Sequence, residues 1–272
     1  MGSRLQSRPM GDTAFVLAGL LVGFVVGLTG VGGGSLMTPI LIFFFGVKPY
    51  MAVGTDLLFA AFTKMGGTVK LARSGRIDWP VVLNLSAGSV PAALLTLYAL
   101  HQMGTTSAEV QKVMTSTLGL ALLLTAAATL YKALRGKVSP TSVQTGQERQ
   151  AARPRHWALP LLFGAIIGSL VTLTSVGAGA IGVTVLMLLY PLLPLPRIIA
   201  ADIAYAVPLT LVAGLGHASL GSVDWRMLAA LLAGSLPGIW LGSHLVVKTP
   251  ERVIRSLLSL LLAYAGFKLI AL

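Results

Sequence analysis

Long apolar stretches alternate along the chain with short breaks that contain charged residues, proline or glycine. A helix needs roughly 20 apolar residues to cross a bilayer, and a run of 18 or more with few charges indicates such a helix. This rule predicts eight apolar segments, at 13–45, 50–72, 79–100, 109–134, 157–190, 196–219, 224–247 and 252–271. The pattern predicts an all-α integral membrane protein that crosses the bilayer several times.

The segments repeat as two four-segment copies. GLLVGFVVGLTGVGGGSL at 19–36 aligns with GAIIGSLVTLTSVGAGAI at 164–181, and four glycines, Leu28, Thr29 and Val31 coincide with their counterparts. Farther along, Asp56 falls on Asp202, and the Gly-Ser-x-Pro of the third segment recurs in the seventh. Glycine- and proline-interrupted segments at corresponding places in two halves are the sequence pattern of a transporter binding site.

This repetition divides the chain into three parts. We predict a first transmembrane repeat over 1–135 and a second over 157–272. The stretch 136–156 between them is polar, contains two prolines and lacks apolar periodicity, so it is predicted to be a loop.

The relative orientation of the repeats depends on their first segments, 13–45 and 157–190, which are long for one crossing. If all eight segments cross, the repeats are parallel; if these two are re-entrant, each repeat crosses three times and the repeats are inverted. Both arrangements give the same excess of Lys and Arg on the cytoplasmic side of the membrane, so the positive-inside rule does not distinguish them. The length of the two segments favours inverted repeats whose first segment is broken or re-entrant.

Glycines cluster in the middle of the first segment, where four of the five residues from Gly30 to Gly34 are glycine. Each costs a helix interior about 1 kcal/mol relative to alanine, so the helix should break and restart near Ser35. The freed N–H groups at the start of a half-helix carry positive charge and suit an anion. We therefore predict that the backbone around these two breaks binds substrate, at Gly32, Gly33, Gly34, Ser35, Gly177, Ala178, Gly179 and Ala180. The alternative is close helix packing, which fits the four-residue spacing of Gly19 with Gly23 and of Gly164 with Gly168.

Three ionisable residues lie deep inside apolar segments. Asp56 and Lys64 are both in the second segment, about 12 Å apart along a helix, and Asp202 is in the sixth. Such residues face the protein interior and mark functional sites. Lys64 is predicted to face an anionic substrate, with snorkelling to an interface as the alternative. The two aspartates either orient loops or carry a coupling proton, and Thr55 is a further candidate hydroxyl ligand.

Composition supports a membrane location and excludes several functions. The chain is 55% hydrophobic and only 10% charged, whereas soluble domains carry about 25% charged residues. The net charge of +12 resides in short loops, so we predict no nucleic-acid partner. There is no cysteine, and the four histidines have no metal-site or catalytic spacing, so we predict no metal, no cofactor and no enzyme activity. His217, near the end of the sixth segment, is interpreted as a loop residue, with a titrating residue of a transport pathway as the alternative.

The glycine-rich break GLTGVGGGSLMTPIL, the AVGTDLL of the second segment and their weaker second copy resemble the sulfite exporter TauE/SafE family, over residues 13–271. The resemblance implies a carrier of sulfite, sulfoacetate or other organosulfonates in the cytoplasmic membrane. Many members have Gly-Thr-Ser where this chain has Gly54-Thr55-Asp56, and Ser175 and Ala178 replace two glycines in the second copy. These departures leave the substrate and the coupling ion open.

Taken together, we expect a secondary transporter that holds a small sulfur-containing anion near the bilayer midplane between two half-helices. The expected partners are this anion and the lipid bilayer, and homo-oligomer formation is left open. One alternative is a transporter in which Asp56 and Asp202 coordinate a cation. Another is a passive anion channel.

Overall fold

The computed structural model describes residues 9–29, 34–135, 158–245 and 251–271. The predicted loop 136–156 lies outside the described residues. Within the described ranges the chain is helical, with no strand. The helices are α1 (Pro9–Thr29), α2 (Gly34–Phe45), α3 (Pro49–Arg73), α4 (Trp79–Met103), α5 (Ala108–Arg135), α6 (Ala158–Thr174), α7 (Ala180–Leu189), α8 (Leu195–Ser219), α9 (Trp225–Leu245) and α10 (Glu251–Ile270).

Four of these helices are long and apolar enough to cross a membrane by length and composition: α4, α5, α8 and α9. The prediction of an all-α membrane protein is confirmed. The helix α3 is also 25 residues long, but Asp56, Lys64, Lys70 and Arg73 make it more polar than these four. Large apolar side chains on the outer faces, such as Leu95, are exposed, as expected for surfaces that contact lipid.

The predicted first and fifth segments are each built from two short helices. α1 ends at Thr29 and α2 begins at Gly34, while α6 ends at Thr174 and α7 begins at Ala180. The rings of Phe15 and Phe45 stack with their centroids 4.7 Å apart, which places the start of α1 beside the end of α2. The chain therefore folds back on itself as a helical hairpin between these two residues.

The turn between α6 and α7 has a backbone that only particular residues adopt at low cost. Gly177 and Gly179 have φ of 132° and 130°, a region that is open to glycine because it has no Cβ. Ser175 has φ of 59°, which is uncommon for a residue with a side chain. The two glycines thus explain why the helix is interrupted at this point.

The first helix of each hairpin packs against the fourth helix of the other half, α1 on α9 and α6 on α4. The contacts are made by small residues: Gly19 lies against the Leu231 backbone and Gly23 against that of Ser235. On the other side, Gly168 lies against the Ser89 backbone, and a Cβ on Gly168 would be 2.7 Å from the Ser89 Cα. The close-packing interpretation of these glycines is correct, and they let helix backbones approach each other.

The helices α3 and α8, which contain the corresponding residues Asp56 and Asp202, pack against each other. Their contacts run in opposite order: Gly54 lies beside His217 and Gly214 beside Leu58. Farther along, Gly67 faces Ile203. These contacts mean that α3 and α8 are antiparallel and that Lys64 lies close to the middle of the pair.

Replacing Gly168 by alanine should destabilise the protein by about 1–3 kcal/mol, because the new methyl group overlaps the backbone of α4. Gly66→Ala is the matched control. It lies within α3, has no atom within 4 Å of the Cβ position, and should leave stability unchanged or raise it by up to about 1 kcal/mol. Melting temperatures of the purified variants in detergent would measure both effects. Equal melting temperatures for Gly168→Ala and the wild type would contradict the packing argument.

Candidate functional site

Lys64 is at the centre of the structure, halfway along α3. Its side chain is buried, with 8% of the residue exposed, and Nζ donates a hydrogen bond of 3.4 Å to the carbonyl oxygen of Ala178. Ala178 belongs to the α6–α7 turn of the other half. The snorkelling interpretation is therefore wrong, since the side chain extends inward to a turn instead of outward to an interface.

Asp56 lies one and a half turns before the middle of α3 and is fully buried. The Thr38 hydroxyl on α2 donates a hydrogen bond to Oδ2, and the Ser175 hydroxyl of the α6–α7 turn also faces this carboxylate. No described residue donates a hydrogen bond to Oδ1. Asp56 thus connects the second helix of one hairpin to the turn of the other.

Asp202 occupies the corresponding position on α8 and is 2% exposed. Its Oδ1 lies against Gly182 in the first turn of α7, where a Cβ would overlap the carboxylate oxygen. The same Cβ would be 3.0 Å from the hydroxyl of Tyr205, which is buried and has no hydrogen-bond partner among the described residues. Each aspartate therefore faces the first turns of the short helix in its own half.

Lys64 is attracted by both carboxylates, more strongly by Asp202 than by Asp56. Within the described residues this buried group contains one cation and two carboxylates, so it carries a net charge of −1 when all three are ionised. Charges taken out of water cost several kcal/mol each unless they are paired and hydrogen-bonded. The lysine and the carboxylates therefore depend on one another for their stability inside the membrane.

The α6–α7 turn also has unused hydrogen-bond donors. The first bonds into α7 are donated by Gly182 to the Gly177 carbonyl, at 2.9 Å, and by Val183 to the Gly179 carbonyl, at 3.0 Å. The N–H groups of Gly177, Ala178 and Gly179 donate to none of the described residues. Three free amides beside a buried ammonium group are a set of donors that suits an anion.

The predicted site residues fall into three groups. Gly177, Ala178 and Gly179 form the turn that contacts Lys64, and Ala180 is the first residue of α7. Gly34 and Ser35 open α2, whereas Gly32 and Gly33 lie outside the described residues. The α6–α7 turn, Asp56, Lys64 and Asp202 are the predicted site residues that the described contacts bring together.

Thr55 is separate from this group. Its Oγ1 accepts a hydrogen bond of 3.1 Å from the backbone N–H of Asp224, just before α9. The carboxylate of Asp224 in turn accepts bonds of 3.0 Å from the N–H groups of Arg226 and Met227, which caps α9. Thr55 therefore holds the start of α9 against α3, and no described contact joins it to Lys64.

The structure adds residues that were not predicted as site residues from the sequence. Thr38, Ser175, Gly182 and Tyr205 surround the two carboxylates. Tyr205 follows Asp202 by three residues, so both lie on one face of α8, and this spacing could have identified it. Ser175 had no such signal, because only the fold of the turn brings it to Asp56.

The interpretation of His217 as a loop residue is wrong. His217 is fully buried within α8, and Nε2 lies 2.9 Å from the Thr172 carbonyl oxygen on α6. Within the described ranges, no group of three His, Asp or Glu side chains could hold a metal ion.

Comparisons with known proteins agree with this architecture. The sequence matches the sulfite exporter TauE/SafE family over residues 15–269. It is 34% identical to the probable membrane transporter protein YjnA of Bacillus subtilis (strain 168), over 95% of this chain and 100% of that protein. It is 27% identical to the probable membrane transporter protein YunE of the same organism, over 96% and 98% of the two chains. No solved structure matches. The chain belongs to the sulfite exporter TauE/SafE family and is a membrane transporter, not an enzyme.

Proposed function

We propose that this membrane transporter carries a small sulfur-containing anion, sulfite or an organosulfonate. The observation that supports the proposal best is the position of Lys64, a buried cation whose ammonium group contacts a turn with three amides that donate to none of the described residues. An ionisable residue at this depth in a membrane protein marks a substrate or ion pathway. The family match points to the same class of substrate.

The anion would be held by Lys64 and the amides of Gly177, Ala178 and Gly179, with Ala180 at the start of α7 beside them. In the other half, the corresponding backbone runs from Gly32 to Ser35. Unwound backbone is tolerated at membrane depth where it is buried in protein or lines a wet cavity, and half-helix N-termini suit anionic groups there. Asp56 and Asp202 orient the two short helices and are the candidates for a coupling proton.

We further propose that the two repeats are inverted and that transport occurs by rocking one against the other. The antiparallel packing of α3 and α8 supports this arrangement, because equivalent helices of inverted repeats run in opposite directions. The hairpin made by α1 and α2 supports it as well, since a re-entrant first segment leaves three crossings in each repeat.

A second candidate function is cation transport through Asp56. The observation in its favour is the set of oxygens around this carboxylate, from the hydroxyls of Thr38 and Ser175. Hard cations such as Na⁺ prefer oxygen ligands of this kind. An increase in melting temperature with sulfite or a sulfonate supports anion transport, whereas an increase with a cation alone supports this second candidate.

Lys64→Ala should lower the initial rate of labelled sulfite uptake into proteoliposomes at least tenfold. The expected loss follows from removing a charged hydrogen-bond donor, which contributes about 1.5–3 kcal/mol. Lys70→Ala is the matched control, because Lys70 is exposed on the same helix. Melting curves of both variants would separate a transport defect from misfolding, and equal uptake by the wild type and a folded Lys64→Ala variant would overturn the role of the lysine.

The orientation of the repeats can be tested with single cysteines, because the natural chain has none. Arg73 and Ser219 are exposed residues at equivalent ends of α3 and α8. Inverted repeats place Arg73→Cys and Ser219→Cys on opposite sides of the membrane, so an impermeant maleimide added to intact cells should label only one of them. Labelling of both from the same side would indicate parallel repeats.

A further inference from the structure

The charges around Lys64 limit how an anion can bind there. With both aspartates ionised, the described group already carries one more negative than positive charge. A monoanion placed beside Lys64 would raise this excess to two within a buried site, where like charges repel strongly. A proton taken up together with the anion leaves the net charge of the site unchanged.

The position of Asp202 shows where this proton would be needed. Its carboxylate lies against Gly182 in the first turn of α7 and attracts Lys64 more strongly than Asp56 does. The start of a helix and a buried ammonium group are the two features that attract an anion. The carboxylate of Asp202 therefore occupies the kind of position that the transported anion needs.

Two further observations point to a ligand at this place. The Tyr205 hydroxyl is fully buried, lies beside Gly182 and Asp202, and has no hydrogen-bond partner among the described residues. Gly182 has no side chain, and any Cβ would fill the space that Asp202 Oδ1 now takes. The Tyr205 hydroxyl could donate a hydrogen bond to an oxygen of sulfite or a sulfonate. The space beside the Gly182 backbone, which now holds a carboxylate oxygen, would fit such an oxygen as well.

We propose that Asp202 is a tethered competitor of the transported anion, so that the anion binds beside Lys64 only when Asp202 is protonated. This inference rests on the proposed anion transport. The proton comes from the solution on the side where the anion enters, and it binds one carboxylate oxygen of Asp202. The neutral carboxyl group releases Lys64, and the ammonium group with the Tyr205 hydroxyl then holds the anion. Each monoanion is carried with one proton.

The other titratable groups near Asp202 are few. Helix α8 packs against α3, α4, α6 and α7. Helices α6 and α7 contain no titratable side chain, and those of α4 are the exposed Tyr98 and His101. On α3 the titratable groups are Tyr50, Asp56, Lys64, Lys70 and Arg73, and on α8 itself Arg197, Tyr205 and His217. Among these groups in the described structure, Asp56 is the other carboxylate that attracts Lys64. The experiment must therefore distinguish protonation of Asp202 from protonation of Asp56.

The proposal predicts how binding of methanesulfonate to the detergent-purified protein depends on pH. Methanesulfonate remains a monoanion from pH 5 to 8, so any pH dependence belongs to the protein. The Kd of the wild type should increase with pH and approach a tenfold increase per unit, because deprotonated Asp202 competes with the anion. Asp202→Asn should bind more tightly at pH 8 and lose this dependence. Asp56→Asn, the matched variant from the other half, should keep it.

Proton uptake provides a test that needs no variant. A pH indicator in weakly buffered solution should report about one proton taken up per methanesulfonate bound to the wild-type protein. Binding of methanesulfonate without proton uptake would overturn this inference. So would a pH dependence of binding that Asp56→Asn loses and Asp202→Asn keeps. Either result would leave the proposed anion transport intact. Failure of the wild type and of Asp202→Asn to bind either sulfite or methanesulfonate at pH 5 would instead overturn the proposed function.

Discussion

A lysine inside a membrane protein requires a negative charge and hydrogen-bond acceptors nearby, because the bilayer provides neither. Lys64 finds them in three separate elements: the carbonyl of Ala178 in the α6–α7 turn and the carboxylates of Asp56 and Asp202. Asp56 is on the same helix as Lys64, but the contacts with Ala178 and Asp202 exist only when the two halves are assembled. The same requirement therefore favours a fold in which α8 and the second hairpin turn lie beside Lys64.

The glycines have two different structural roles. Those in α1, α4, α6 and α9 bring helix backbones into contact across the two halves, as Gly23 and Gly168 do. Gly177 and Gly179 instead allow backbone angles that end one helix and begin another. The first role fixes where each hairpin lies, and the second exposes amides at the hairpin turn. Together they position the turn at the side chain of Lys64.

Much of this arrangement could be predicted from the sequence, because lipid imposes simple rules on length and charge. The apolar runs gave the helices, and the duplicated glycines gave the break before Ala180. The rest depends on contacts between distant elements. Nothing local indicates that Ser175 meets Asp56, that Thr55 binds the backbone of Asp224, or that His217 is buried against α6. The spacing of Asp202 and Tyr205 is a local signal that both lie on one face of α8, but it does not indicate that Gly182 lies opposite them.

The two halves differ within their corresponding central helices, α3 and α8. Thr210 corresponds to Lys64 and bonds to the Ala206 carbonyl of its own helix, at 2.7 Å, so it contributes no charge. A carrier built from two identical inverted halves would have inward-open and outward-open states of equal energy, related by symmetry. A lysine in only one half removes that equality. In the inverted arrangement proposed above, the empty carrier would therefore have a preferred resting direction, which its amino-acid sequence sets independently of any gradient across the membrane.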